Sequence, residues 1–181
     1  MKSGHAEQCE LLDLPDFKAM ADQHTARFSL DRVYRYTLTR RWATTGGMCN
    51  FLMLNPSTAD ESKNDPTVTK IVGFAKRWGY AGLVVTNLFA FRATDPKAMM
   101  CASEPVGPFN DAAILESAQS AALVVCAWGR NGSFMGRSDV VRRLLQGYDI
   151  TLHSLALTKA GQPVHPLYQP NSRSPQPWHV A

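Results

Sequence analysis

Four apolar residues, Phe51-Leu52-Met53-Leu54, run directly into Asn55-Pro56-Ser57. A short apolar run cut off by turn chemistry predicts a buried strand, Met48 to Leu54, opening into a loop. Pro56 fixes its own φ and lacks a backbone donor, and it pushes Asn55 out of the helical region. Asn55 is thereby expected at a strand's C-terminal end, where open α/β sheets place ligands. Asp65-Pro66-Thr67 comes next, with Asp65 a good N-cap and Pro66 suited to the first helical position. The polar loop Ser57 to Asn64 then lies between a strand end and a helix N-terminus, a natural place for an anion.

The same alternation continues. Val33 to Thr39 is rich in β-branched and aromatic residues and alternates, which predicts a strand with one wet face, paired antiparallel with the central strand across Gly46-Gly47. Val68, Ile71, Val72, Ala75 and Trp78 recur at helical spacing, and Gly79 is the expected stop. Gly82 to Thr86, Leu123 to Ala127 and Ile150 to Leu157 read as further strands. Between them, Phe109 to Ser120 and Ser138 to Gln146 read as helices, the latter with Val140, Val141, Leu144 and Leu145 inward. Lys97 to Gly107 looks irregular. Strand–helix repetition after one antiparallel opening predicts a three-layer α/β sandwich: a mostly parallel central sheet with one antiparallel N-terminal strand. Right-handed crossovers would gather four polar loops at one sheet edge. The expected division is an N-terminal extension, 1–31, with a short helix over Phe17 to Ala21; a single α/β domain, 32–170; and a Pro- and Ser-rich C-terminal coil, 171–181.

Composition narrows the function classes. At 181 residues and 45% apolar the chain suits one globular domain with a full core. A formal charge of +4 permits nucleic-acid contact without requiring it. Cys9, Cys49, Cys101 and Cys126 are scattered, which supports neither a disulfide framework nor a zinc site, and Cys126 reads as a buried thiol. There is no Gly-rich dinucleotide fingerprint, Walker loop, nucleophile elbow or metal-ligand spacing, so no cofactor and no metal is expected. Met1 to Glu10 is too polar for a signal peptide, and no run is long enough to span a bilayer. The expectation is a cytoplasmic protein without a membrane partner; nothing in the sequence sets an oligomeric state.

The candidate site residues lie at the strand ends, and each has two readings. Asn55 can orient a water or a ligand edge, or cap its own turn; Pro56 and Ser57 would bind substrate beside it. Asn87 can read a base edge, or be a strand-end turn residue. Phe89 and Phe91 can stack a base beside the Arg92 guanidinium, or be core rings beside a solvated arginine. Asp60, with Glu61 and Asp65, can supply a general base, or form a solvated loop and a helix cap. His165 can donate to a leaving oxygen or a phosphate, or be a surface histidine. Trp128 is a ligand platform or a core ring, and Arg130 a phosphate contact or a solvated charge.

Taken together, the segments Leu52 to Asp60, Asp65-Pro66-Thr67, Trp78-Gly79-Tyr80 and Asn87 to Pro96 resemble the DUF1643 family of proteins of unknown function, over about Arg32 to Pro170. A more distant resemblance is to the uracil-DNA glycosylase superfamily. Met53-Leu54-Asn55-Pro56-Ser57 is similar to its first loop, Asn87 to Pro96 to its middle strand end, Trp128-Gly129 to a later strand end, and His165-Pro166-Leu167 to its His-Pro-Ser motif, all in the right order. Leu167 stands where serine is usual, Ser57 where glycine is common, and Asn55 lacks the carboxylate of some branches. The resemblance implies a glycosylase-like fold. It also implies a role in cleaving or recognising an N-glycosidic base in DNA or a nucleotide, with Asn55 orienting water, Asn87 reading the base and His165 stabilising its departure. The alternatives are a non-catalytic nucleotide or nucleic-acid binding module, and a small-molecule hydrolase using Asp60, Glu61 or Asp65.

Overall fold

The computed structural model of the chain describes residues 24–178. Cys9 and the helix expected over Phe17 to Ala21 lie outside them. Seven strands form one sheet in the order β1-β2-β4-β3-β5-β6-β7. They are β1 (His24–Phe28), β2 (Arg35–Arg41), β3 (Met48–Met53), β4 (Gly82–Asn87), β5 (Leu123–Cys126), β6 (Leu152–Ser154) and β7 (Gln176–Pro177). The helices are α1 (Pro66–Arg77) between β3 and β4, α2 (Pro96–Met100) and α3 (Asn110–Ser120) between β4 and β5, and α4 (Arg137–Gln146) between β5 and β6.

The strands β4, β3, β5 and β6 run parallel, as apolar runs without alternation require. Their side chains feed two cores. Cys49, Phe51 and Met53 meet Val68, Ile71 and Phe74 of α1 on one face, whereas Leu52 and Leu54 belong with Ile114 of α3 and Val141 and Leu145 of α4 on the other. Burying Val68, Ile71 and Phe74 stabilises the α1 contact by roughly 1.5–3 kcal/mol each. Asp65 caps α1 as expected, accepting the Val68 N–H at 2.8 Å, with Pro66 in the first turn.

Several expectations need correction. The sheet is mixed rather than mostly parallel: three of its six pairings, β1–β2, β2–β4 and β6–β7, are antiparallel. β2 pairs with β4, not with β3. The β3 and β4 runs are joined through α1 as parallel neighbours, so both edges of β3 are taken, by β4 and β5. Residues 42–47 therefore do not turn a hairpin. They step past the start of β4, where the Trp42 and Ala43 N–H groups donate to Ala81 O and the Ala81 N–H donates to Gly47 O. The stretch after Thr94 is not wholly irregular, since Asp95 caps α2 by accepting from Lys97 N–H. On α4 Val140 is exposed and Leu144 half-buried, so the inward stripe is narrower than expected. β1 arises from residues assigned to an extension, and β7 from the expected coil, where Trp178 is buried.

One irregularity in β2 redirects a side chain. Thr37 sits opposite Arg27 and Arg35 opposite Phe28, which leaves Tyr36 as the extra residue of a β-bulge. The bulge breaks the two-residue alternation. Arg35 therefore shares the α1 side of the sheet with Leu38 and Arg40, although an odd number of positions separates it from Arg40.

Candidate functional site

The C-terminal ends of β3 and β4, the first turn of α1 and the segment after β6 enclose a cavity of about 350 Å³. Asn55, Asn87 and His165 all line it, so three residues widely separated in sequence come together. Ser57 stands at the same wall. Met53, Leu54, Val68, Val85 and Leu167 supply apolar surface between the polar groups.

Asn55 and His165 are held by their neighbours. Asn55 donates from Nδ2 to Ala93 O at 2.7 Å and Pro56 O at 3.1 Å, which fixes the amide and leaves Oδ1 as an acceptor. Pro56 is buried, and its carbonyl accepts from Ala93 N–H at 2.9 Å, so the first loop and the loop after β4 are tied together. His165 accepts the Leu167 N–H at Nδ1, at 3.4 Å, which puts the proton of a neutral ring on Nε2. Burial pushes the imidazole below its ordinary pKa, with the Asp65 carboxylate working in the opposite direction. The ring is thus a neutral donor near pH 7. Gly129 backs this segment: its N–H donates to Pro163 O at 2.8 Å, and its φ of +73° suits glycine.

Two donors at the cavity wall have no partner among the described residues: Asn87 Nδ2 and Arg35 Nε. Asn87 is 1% exposed and Arg35 2% exposed. A buried donor left unpaired costs about 1–3 kcal/mol, so such groups call for a reason. Nothing in the sequence singles out Arg35, since alternation alone gives no hint that it turns inward. It donates from Nη1 to Ala59 O. Burial lowers its pKa to about 10, with Asp65 and Asp60 raising it and Arg92 and Arg40 lowering it. Arg40, also buried, holds the next part of the loop, donating to Asn64 Oδ1 at 2.7 Å and to the carbonyls of Asp60 and Lys63. Two guanidinium groups rising from the sheet therefore grip the loop that forms the cavity rim.

The other sequence candidates lie elsewhere. The Asp60 carboxylate accepts from Ser62 N–H, Ser62 Oγ–H and Lys63 N–H, which holds its pKa at about 2 and closes its own turn. Glu61 pairs with Arg32. Phe89 is fully buried against Phe134, away from the cavity. Trp128 is a core ring, donating to Gln162 Oε1 at 2.7 Å and packed edge-on against Trp178. Arg130 is exposed. Phe91 and Arg92 line an adjoining groove that shares Ser57, Thr58, Ala93 and Thr94 with the cavity. Three of the four expected loops thus meet, and the one after β5 supports His165 from behind. No helix among the described residues is long and apolar enough to cross a membrane.

Neither a curated protein nor a solved structure matches the chain. Residues 35–167, well over half of it, match the family described as protein of unknown function, DUF1643. The matched span takes in Arg35, both asparagines, His165 and Leu167, and with them every residue that lines the cavity, so the chain belongs to the DUF1643 family.

Proposed function

We propose that the cavity receives a nucleobase and that the protein is an N-glycosidase with a uracil-DNA glycosylase-like fold, acting on a nucleotide or on a base turned out of DNA. The observation that carries this reading is the meeting of Asn55, Asn87 and His165 in one hollow. In the reaction, water adds to the anomeric carbon, the C–N bond breaks with its electron pair leaving on the base, and the proton shed by the water ends on the departing base. Asn55 Oδ1 orients the water. Asn87 Nδ2 pairs with an acceptor on the ring edge, and neutral His165 donates from Nε2 to the departing base as negative charge develops on it. Phe89 and Trp128 play no part in holding the ring, which would lie instead against Met53, Leu54 and Leu167. Duplex DNA would have to surrender the base by extrusion.

A second reading, a binding module without turnover, is favoured by the state of the carboxylates. Asp60 is committed to its own turn and Asp65 to the α1 N-terminus, so neither stands ready to activate water. The same commitments disfavour a small-molecule hydrolase built on Asp60, Glu61 or Asp65. The test is release of free base from single- and double-stranded oligonucleotides containing uracil or hypoxanthine, measured by chromatography. The glycosidase reading expects release, falling about 10²-fold or more in Asn55→Ala and His165→Ala. Saturable binding of these oligonucleotides without release of any base overturns it in favour of the binding module.

A further inference from the structure

The two unpartnered donors narrow the chemistry of the ligand. Asn87 Nδ2 and Arg35 Nε are both buried, both belong to residues lining the cavity and both lack an acceptor among the described residues. They arise on adjacent strands: the Arg35 backbone N–H donates to Ala90 O at 2.9 Å, just past the end of β4. The bulge at Tyr36 is what brings Arg35 to this side of the sheet. Its guanidinium holds the Ala59 carbonyl and, among the described residues, no carboxylate at salt-bridge distance. Arg40, which grips an amide and carbonyls, and Arg92 add positive charge nearby. Asp65 also lines the cavity, and its carboxylate is engaged with the Val68 N–H. His165 presents a further donor at Nε2, and Ser57, Thr58 and Thr67 add hydroxyl groups. Asn55 Oδ1 is an acceptor on the same wall and the hydroxyls can act either way, but the two buried groups without a partner are both donors, and one belongs to a cation. A group that is all acceptor and negatively charged satisfies them, whereas a neutral amino-bearing group does not.

We propose that the ligand of this cavity carries an oxyanion, a carboxylate or a phosphate, received by Arg35 Nε and Asn87 Nδ2. The substrate class is then an acidic small molecule, such as a heterocycle bearing an acid group, whose oxyanion is the ring-edge acceptor that Asn87 Nδ2 meets. This rests on the cavity being a ligand site, as the glycosidase reading also does, but not on bond cleavage.

The experiment titrates the full chain with inorganic phosphate and, separately, with acetate, at constant ionic strength set with chloride, tracking thermal stability and heats of binding. Saturable binding of either anion in excess of chloride is expected, and the better binder identifies the acid group. Thr67→Glu places a carboxylate on the cavity wall in the first turn of α1, where a helix favours it; binding is expected to weaken at least tenfold with the fold intact. Arg35→Lys keeps the charge but removes Nε, and is expected to weaken binding at least tenfold; if it fails to fold, Thr67→Glu decides alone. Responses equal to chloride for both anions, or binding unchanged in Thr67→Glu, overturn the proposal. Anion binding with no base release leaves the oxyanion site standing and removes the glycosidase. Base release with no anion binding does the reverse.

Discussion

At the scale of single residues, Asn87 is held in a costly state. Its side chain is buried, its Nδ2 is unpaired among the described residues, and its backbone carbonyl accepts from the Asn110 amide at 3.0 Å. Asn87→Leu fills the same volume without an orphaned donor. We expect stability to stay within about 1 kcal/mol of wild type or to rise, because removing an unsatisfied group costs little. Ligand binding should be abolished in the same variant. Urea unfolding beside an anion titration checks both halves, and a loss of several kcal/mol would mean that the amide has a structural partner. Stability gained where binding is lost is the mark of a residue kept for function.

Among the elements, α1 serves packing and the site together, and Asp65 is where the two meet. Asp65→Ala removes the cap on Val68 N–H and should cost about 1 kcal/mol. It should also lower the His165 titration midpoint further, since the Asp65 charge is what holds that pKa up against burial. The pH effect has a definite sign. The folded pKa of His165 lies below the ordinary 6.5, so the unfolded chain takes up its proton first. The contribution of the neutral buried ring is whole above about 6.5 and is lost as pH falls through the folded value. Proton NMR titration of the imidazole, with urea curves at about pH 7 and pH 5.5, checks the prediction. β2 illustrates the limit of reading elements from sequence. Its strand character is plain from Tyr36, Thr37 and Thr39, but its partner and its bulge are not. Pairing depends on β4, which arrives only after β3 and α1, and an inserted residue leaves no mark in composition. For that reason the asparagines and His165, which end strands or sit beside proline, are legible as candidates, and Arg35 and Arg40 are not.

For the whole molecule, the parallel centre is readable because β3, β4 and β5 are largely apolar and the helices between them are periodic. The flanks are not: β1 is short and polar, and β7 spans two residues within a segment rich in Pro and Ser. Even so, the second flank completes a core. Trp178 is 7% exposed, meets Trp128 edge-on with ring centroids 5.4 Å apart, and donates its backbone N–H to Leu152 O at 2.8 Å. Trp178→Ala should destabilise by about 3 kcal/mol, as expected for opening a buried aromatic site, with the shift read from the urea midpoint. A change under about 1 kcal/mol would show the tail to be dispensable.

Beyond Ala59, which packs into the core, the rim of the cavity hangs from arginine side chains. Its shape is therefore set by polar tethers anchored inside the sheet. Solutes that compete for carbonyl oxygens should loosen the mouth before they disturb the interior, and the opening can change width while the strands beneath it stay still.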